Sequence, residues 1–327
     1  MTLLNLAGVA KIPLEVTGPR LMIYGLFLGI LALLIIIFLA RRLVIVRRQL
    51  LTRTKLFDIV DSEKKDLELK NKNLTDSLIY AQRIQEALLP SEIYFRKHFE
   101  DSFIFFKPKD IVSGDFYWIG EKGDKVFVVA ADCTGHGVPG ALMSVIGMEI
   151  IGKAINEGNI DKPSEILAIL SKALEKTFTS EKNIGSIIRD GMDIGLCQID
   201  KTKRKMIYAG AFFPLYLLRD NSLTEIKGDK ISIGFNPGGI DYTDNEIEIM
   251  ADDIFYVFSD GYVDQFGGSE NKKFMYRRFR FLLTKIHNFS ADDQKSILEE
   301  EFRAWMGNNV QLDDIMVIGF RPLGKST

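Results

Sequence analysis

The residues best suited by type and spacing to do chemistry are aspartates that each border an apolar run. Asp115 lies in Val112-Ser113-Gly114-Asp115-Phe116, Asp132 in Ala131-Asp132-Cys133-Thr134-Gly135-His136-Gly137, and Asp260 in Ser259-Asp260-Gly261, while Asp313 and Asp314 stand side by side before the last apolar run. An aspartate at a strand end is held by a rigid scaffold yet faces solvent, and a neighbouring glycine lets backbone or ligand approach closely. Carboxylates brought together repel one another, so a cation is what makes their convergence favourable. Oxygen-only donors select hard ions, Mg2+, Mn2+ or Ca2+, over zinc or copper. Each motif alone is weak, because Asp-Gly is also an ordinary turn pair; the ordered set carries the information.

Composition narrows the chemistry further. The 327 residues hold 42 Lys plus Arg against 44 Asp plus Glu, a formal charge of −2 that gives no electrostatic bias toward nucleic acid. At 46% hydrophobic and 26% charged, the chain is globular in type rather than disordered. Two cysteines, Cys133 and Cys197, and three histidines, His98, His136 and His287, cannot build a disulfide framework or a Cys/His zinc module, so any metal must rely on carboxylates. A calcium loop of the EF-hand kind gathers its ligands within about 12 residues, which the wide spread from Asp115 to Asp313 does not match.

Elements must bring these aspartates together. Short apolar runs at 103–106, 126–131, 192–199, 205–211, 215–218, 247–250, 254–259 and 315–320 predict strands. Apolar residues at helical spacing predict one helix pair at 140–157 and 163–179 and a second at 273–286 and 292–306. Strands interrupted by paired helices point to an α+β fold with helices covering sheet faces, in a globular domain that begins near Phe103.

The succession SGDFYW at 113–118, ADCTGHGVPGALMS at 131–144, YVFSDGYVDQFGG at 256–268 and QLDDIMVIGF at 311–320 resembles the PPM-type, protein phosphatase 2C-like enzymes, in particular their SpoIIE-like bacterial branch. The resemblance covers about residues 100–321. It implies an αββα four-layer sandwich with two Mn2+ or Mg2+ ions at one end, and hydrolysis of phosphoserine or phosphothreonine in a protein substrate. In this branch the substrate is often an anti-sigma factor antagonist. Carried onto this chain, the metal ligands and catalytic residues are Asp115, the bridging Asp132, the backbone carbonyl of Cys133, Asp260 and Asp313, with Asp314 as the alternative to Asp313. Two ions bridged by a carboxylate lower the pKa of a shared water toward neutrality and yield a hydroxide that attacks phosphorus in line, with no phosphoenzyme. Cys133 then supplies only its backbone oxygen. His136 has two readings, a general acid or a turn residue that orients a loop; Lys107 and Lys109 are candidate phosphate contacts set against simple surface lysines. The chain departs from the pattern at Trp118, where many relatives carry an acidic residue, at Met316 in place of Ser or Thr, and at Phe212-Phe213 before Pro214, the last two expected to bear on the rim. Trp118 keeps open an alternative function, a weakly active or inactive scaffold that binds a partner protein.

Ahead of this domain, residues 21–40 run without a charge, long enough for a helix rising ~1.5 Å per residue to cross ~30 Å of hydrocarbon. The run exceeds the apolar core of a signal peptide and ends at Arg41 and Arg42. Arg47, Arg48, Arg53 and Lys55 extend the basic flank, against Lys11 and Arg20 before the span, which predicts a single-pass protein of the inner (cytoplasmic) membrane with a short external segment at 1–20 and a cytoplasmic catalytic domain. Residues 41–90 then form a basic flank and a linker helix without Gly or Pro until Pro90. Val60, Leu67, Leu74, Ala81 and Leu88 recur every seven residues with Leu56 and Ile84 on the companion seam, while Glu63, Lys70 and Ser77 interrupt it. This favours a homodimeric coiled coil over a solvated spacer.

Overall fold

The computed structural model describes residues 18–158, 160–178, 191–234 and 241–325, which fold as two units, one ending at Leu74 and one starting at Thr75. The first seventeen residues, with Lys11 and most of the 1–20 segment, lie outside the described residues, as does Thr179. Helix α1, Gly18–Leu88, runs through the predicted span and linker without a break and stops ahead of Pro90. In the first unit every apolar side chain of the 21–40 run is exposed to the surroundings. Further along, Lys65 pairs with Asp61 at 2.8 Å and Lys70 with Asp66 at 2.7 Å, one helical turn apart. Such exposed pairs each add only about 0.3–0.5 kcal/mol, so what favours the helix here is mainly the absence of breakers. The seam residues Leu56, Val60, Leu67 and Leu74 are likewise exposed.

The second unit opens with the end of α1 and a short α2, Glu92–His98, whose first turn is capped by the Ser91 hydroxyl accepting the Tyr94 N–H at 3.2 Å. Then follow β1 (Ser102–Lys107), β2 (Phe116–Lys122), β3 (Lys125–Cys133), α3 (Gly137–Asn156), α4 (Pro163–Phe178), β4 (Met192–Asp200), β5 (Lys205–Ala211), β6 (Leu215–Arg219), β7 (Ser222–Ile226), β8 (Asn245–Glu248), β9 (Ile254–Phe258), α5 (Gly261–Asp264), the small hairpin β10 (Phe266–Gly267) and β11 (Lys272–Lys273), α6 (Tyr276–Ile286), α7 (Ala291–Met306) and β12 (Ile315–Phe320). Two antiparallel five-stranded sheets result, ordered β2-β3-β4-β5-β8 and β1-β12-β9-β6-β7.

Strand alternation sorts the core into three layers. On β3, Val126, Val128 and Ala130 meet Met316, Ile318 and Phe320 of β12 between the sheets, while Phe127, Val129 and Ala131 pack under α3 and α4. On the far side, Ile315 and Val317 of β12 pack with Phe279 and Leu283 of α6 and Leu298 and Phe302 of α7. Helix pair, sheet, sheet, helix pair is the expected α+β sandwich, and burial on both strand faces explains why the central strands read as unbroken apolar runs.

The differences from expectation lie at edges. β2 and β7 do not stand out as apolar runs, since Glu121 and Lys122 end one and the other, SLTEI, alternates on an edge strand. The run at 247–250 pairs two residues earlier, as β8. The packed unit also begins well before Phe103: Phe95 and Phe99 of the α2 region, each 1% exposed, pack against Phe320, edge-on and tilted, with ring centroids 6.2 and 4.8 Å away.

Candidate active site

Strand register assembles the site. Phe116 pairs with Ala131, so Asp115, just before β2, falls level with Asp132 near the end of β3, and Asp132 pairs in turn with Asp193 on β4. In the other sheet Val317 pairs with Phe258, and the Ser259 N–H donates to the Met316 carbonyl at 3.0 Å. Asp260 at the start of α5 and Asp313 ahead of β12 therefore leave neighbouring strands side by side. Asp115 bridges the two groups: it hydrogen-bonds with Ser259 and lies against the Asp132 carboxyl.

The electrostatics are those of a carboxylate cluster short of positive charge. Burial, then the adjacent Asp132, raises Asp115 well above the usual carboxylate range. Burial, Asp260 and Asp313 together push Asp132 up to about 8. Asp260, at the open end of the site, is raised to about 6 by partial desolvation and by the nearby Asp264 and Asp313. The Oδ2 atom of Asp115, a residue only 2% exposed, has no hydrogen-bond partner. An orphaned buried carboxylate oxygen costs free energy unless a donor or cation meets it. Among the described residues, no three His, Cys, Asp or Glu side chains already form a finished metal cage. In kind, however, the donors fit: all are oxygen, several are raised for want of a counter-charge, and one buried oxygen is unpartnered.

The acidic pair divides its labour. Both oxygens of Asp314, which is 3% exposed, are occupied, Oδ1 by the Lys109 N–H at 2.7 Å and Oδ2 by the Gly114 N–H at 2.6 Å. Asp314 thus fastens the loop that delivers Asp115, while Asp313 raises Asp132 and Asp260 through its charge. Gly261 is held against this pair so closely that a Cβ there would sit 1.9 Å from the Asp314 carbonyl oxygen. Gly261→Ala should therefore destabilise the protein by about 3 kcal/mol or more, a cost set by displaced backbone and read as a lowered denaturation midpoint. A midpoint equal to that of the unmodified protein would contradict this packing.

Other predicted residues take definite places. His136 precedes α3 on the exposed surface with its Nδ1 2.9 Å from Asp110 Oδ2, which orients the ring toward the 109–114 loop. The Cys133 thiol is buried and raised well above its ordinary value, chiefly by burial, so it is no nucleophile. Lys107 holds its ammonium 5.4 Å from the Phe302 ring centroid. Sequence reasoning passed over Asp193, half-buried and raised, whose carboxylate accepts from the Ser232 hydroxyl at 2.8 Å. It sits at the start of MDIGLCQID just after Asp190-Gly191, a turn pair too common to single it out, and only the pairing of β4 with β3 brings it beside Asp132.

The comparisons agree with this architecture. A family profile described as Stage II sporulation protein E (SpoIIE) matches residues 122–322. The SiaA-PP2C domain of Pseudomonas aeruginosa is 34% identical, with a TM-score of 0.69, and the match covers 77% of this chain and 98% of that domain. This chain belongs to the SpoIIE family. It is a PPM-type, PP2C-like protein serine/threonine phosphatase. The SpoIIE-family fold is shared with the phosphatase domain of SpoIIE from Bacillus subtilis, solved with a fragment of its regulatory domain, at 18% identity and TM-score 0.54, covering 68% of this chain and 62% of that one. It is shared too with the RsbU and RsbW domains of Rv1364c from Mycobacterium tuberculosis, at 17% identity and TM-score 0.53, covering 67% of this chain and 59% of that one. No curated protein matches the sequence. The departures of this SpoIIE-family member from the pattern fall mostly in or against its core. Trp118 faces α3 and lies back over Gly120. Met316 and Phe213 are buried between the sheets rather than on a rim, and Phe212 alone is exposed, at φ 51°.

Proposed function

We propose that this phosphatase is metal-dependent and works from a membrane anchor. The convergence of Asp115, Asp132, Asp260 and Asp313 from two sheets, with raised proton affinities and an orphaned oxygen, supports the metal assignment. Those four carboxylates and the Cys133 carbonyl would hold two Mn2+ or Mg2+ ions. When bound, the ions supply Lewis acidity and a water of near-neutral pKa for attack on phosphorus. The chain's own residues fix the donors: Asp314 fastens the loop before Asp115, and β2–β3–β4 register sets Asp132 beside it. With the Cys133 thiol buried, no side chain of the cluster offers a thiolate nucleophile. Trp118, turned toward α3, leaves the carboxylate set intact, which favours an active enzyme over a scaffold.

A phosphorylated signalling protein of the anti-sigma factor antagonist class is the substrate that the SpoIIE resemblance favours. Incubating the detergent-solubilised full chain with a phosphoserine form of such a protein should release phosphate only when Mn2+ or Mg2+ is supplied. Equal release in excess chelator would refute the metal-dependent reading.

Among the described residues two helices are long and apolar enough to cross a membrane, α3 and the N-terminal portion of α1. Half of α3 is buried under its sheet, as a core helix is, whereas none of the apolar window in α1 is. The α1 run with its basic C-terminal flank supports a single inner-membrane span and a cytoplasmic catalytic domain. The exposed seam of Leu56, Val60, Leu67 and Leu74 supports a homodimer. Replacing Leu67 and Leu74 by Glu should halve the mass of the solubilised particle and change turnover; an unaltered mass and rate would reduce the helix to a spacer.

A further inference from the structure

Of all the α1 residues from Arg20 to Leu88, only Gln85 is buried, at 4% exposed, one turn before the helix ends. Its amide is spent on two residues, Ser113 first. Nε2 donates to the Ser113 carbonyl at 2.6 Å, and Oε1 accepts the Ser113 N–H at 3.0 Å, so the side chain clamps both backbone polar groups of one residue. The second Nε2 hydrogen goes to Ser144 Oγ of α3 at 2.8 Å, and that hydroxyl donates onward to the Ala141 carbonyl at 2.8 Å. Both amide hydrogens and the amide oxygen are thus satisfied in a dry site, where a lost partner costs most.

Ser113 lies two residues before Asp115. Between them Gly114 is fixed from the opposite side by Asp314, and a Cβ on Gly114 would sit 2.7 Å from the Gly135 carbonyl oxygen, which leaves this turn little room to move. The segment bearing Asp115 is therefore pinned at two points, one anionic and one neutral. A neutral amide suits the second point: a carboxylate there would compete for the cation, and an ammonium would repel it.

We propose that Gln85 is a positioning residue for metal binding, holding Asp115 in the orientation in which its unpartnered Oδ2 meets a divalent cation. The proposal rests on the metal-dependent reading above. Groups that orient ligands without touching the metal typically contribute 10–100-fold in affinity. By reciprocity, metal binding tightens the hold of the 113–115 segment on the end of α1 to the same degree.

The test uses the full chain in detergent with Mn2+ as probe, titrated by calorimetry without substrate. Gln85→Met keeps the shape and removes every hydrogen bond; Ser144→Ala removes a single one; Gln82→Met, at a surface position of the same helix, is the control. Gln85→Met should weaken Mn2+ about tenfold and Ser144→Ala two- to fivefold, with Gln82→Met unchanged. At saturating Mn2+ the KM for a phosphoserine substrate should stay within twofold of the unmodified value. A folded Gln85→Met protein that binds Mn2+ within twofold of the unmodified chain, however much its melting point falls, overturns the proposal. Should Gln85→Met fail to fold, unchanged Mn2+ affinity in Ser144→Ala does the same. If the unmodified chain itself binds no Mn2+, the metal-dependent reading fails instead.

Discussion

Replacing Asp132 by Ala should lower phosphate release from a phosphoserine substrate by at least about 10^3-fold while the protein remains folded. Asp132 stands between Asp115, just before β2, and Asp193 on β4, and it feels Asp260 and Asp313 from the other sheet. No other residue of the cluster is in register with carboxylates on both sides, so its loss removes the group that both halves of the site share. Losses of 10^2–10^3 accompany removal of a single preorganised donor in other enzymes, and a shared metal ligand contributes more than that. The fold should survive because the substitution removes a poorly solvated carboxylate rather than a packing group. Circular dichroism and a Mn2+-supplemented phosphatase assay together check this; activity within tenfold of the unmodified enzyme would contradict the central place given to Asp132.

The second large effect concerns stability. In the metal-free protein Asp132 is raised to about 8 and Asp115 well above the usual carboxylate range, whereas both titrate near 4 in the unfolded chain. Between those values the folded state binds more protons than the unfolded state, so stability falls as pH rises. Each retained proton contributes a slope of about 1.4 kcal/mol per pH unit. His98, lowered by burial, acts in the opposite sense, its stability contribution growing until its unfolded pKa near 6.5 is passed. From pH 6.5 to 8 the two aspartates therefore dominate. From Asp132 alone the metal-free protein should lose about 2 kcal/mol across that window, a Tm decrease of roughly 4–8 °C, with Asp115 adding in the same direction. Asp132→Asn should flatten the slope and raise the Tm at pH 8, while saturating Mn2+ should flatten it in the unmodified protein by replacing protons with a cation. A Tm independent of pH in chelator would show that the carboxylates do not crowd one another. The variant that gains stability is one that forfeits catalysis, as is common where like charges are gathered for function.

Much of this was legible in the chain itself. The strands and both helix pairs of the sandwich announce themselves because their residues are buried on one or both faces and are accordingly apolar. Asp115, Asp132, Asp260 and Asp313 were legible as a set because each borders such a run, three of them beside glycine or a second acid and Asp132 three residues before Gly135. What stayed hidden depends on pairing rather than on local pattern. Asp193 becomes part of the site only through its place opposite Asp132, and the distinct tasks of Asp313 and Asp314 are set by which loop each carboxylate faces. Gln85 reads as one more polar residue on a solvated helix until the fold brings Ser113 against it. Edge strands β2 and β7 escaped because their polar ends blur the alternation.

The alignment of Asp115, Asp132 and Asp193 across three adjacent strands makes the site a gauge of register. Side chains alternate between faces with a period of two, so shifting β3 by one residue would send Asp132 under α3 and bring Ala131 or Cys133 to the inter-sheet space in its stead. The same slip would force Val126, Val128 and Ala130 out of the layer they fill against β12. Correct assembly of the hydrophobic interior and correct assembly of the carboxylates are thus one event, and a misregistered chain forfeits the two together. The two-residue turn at Gly123-Asp124, where Gly123 has φ 59° and Lys122 pairs with Lys125, helps to fix that register, so its length bears on which atoms reach the site.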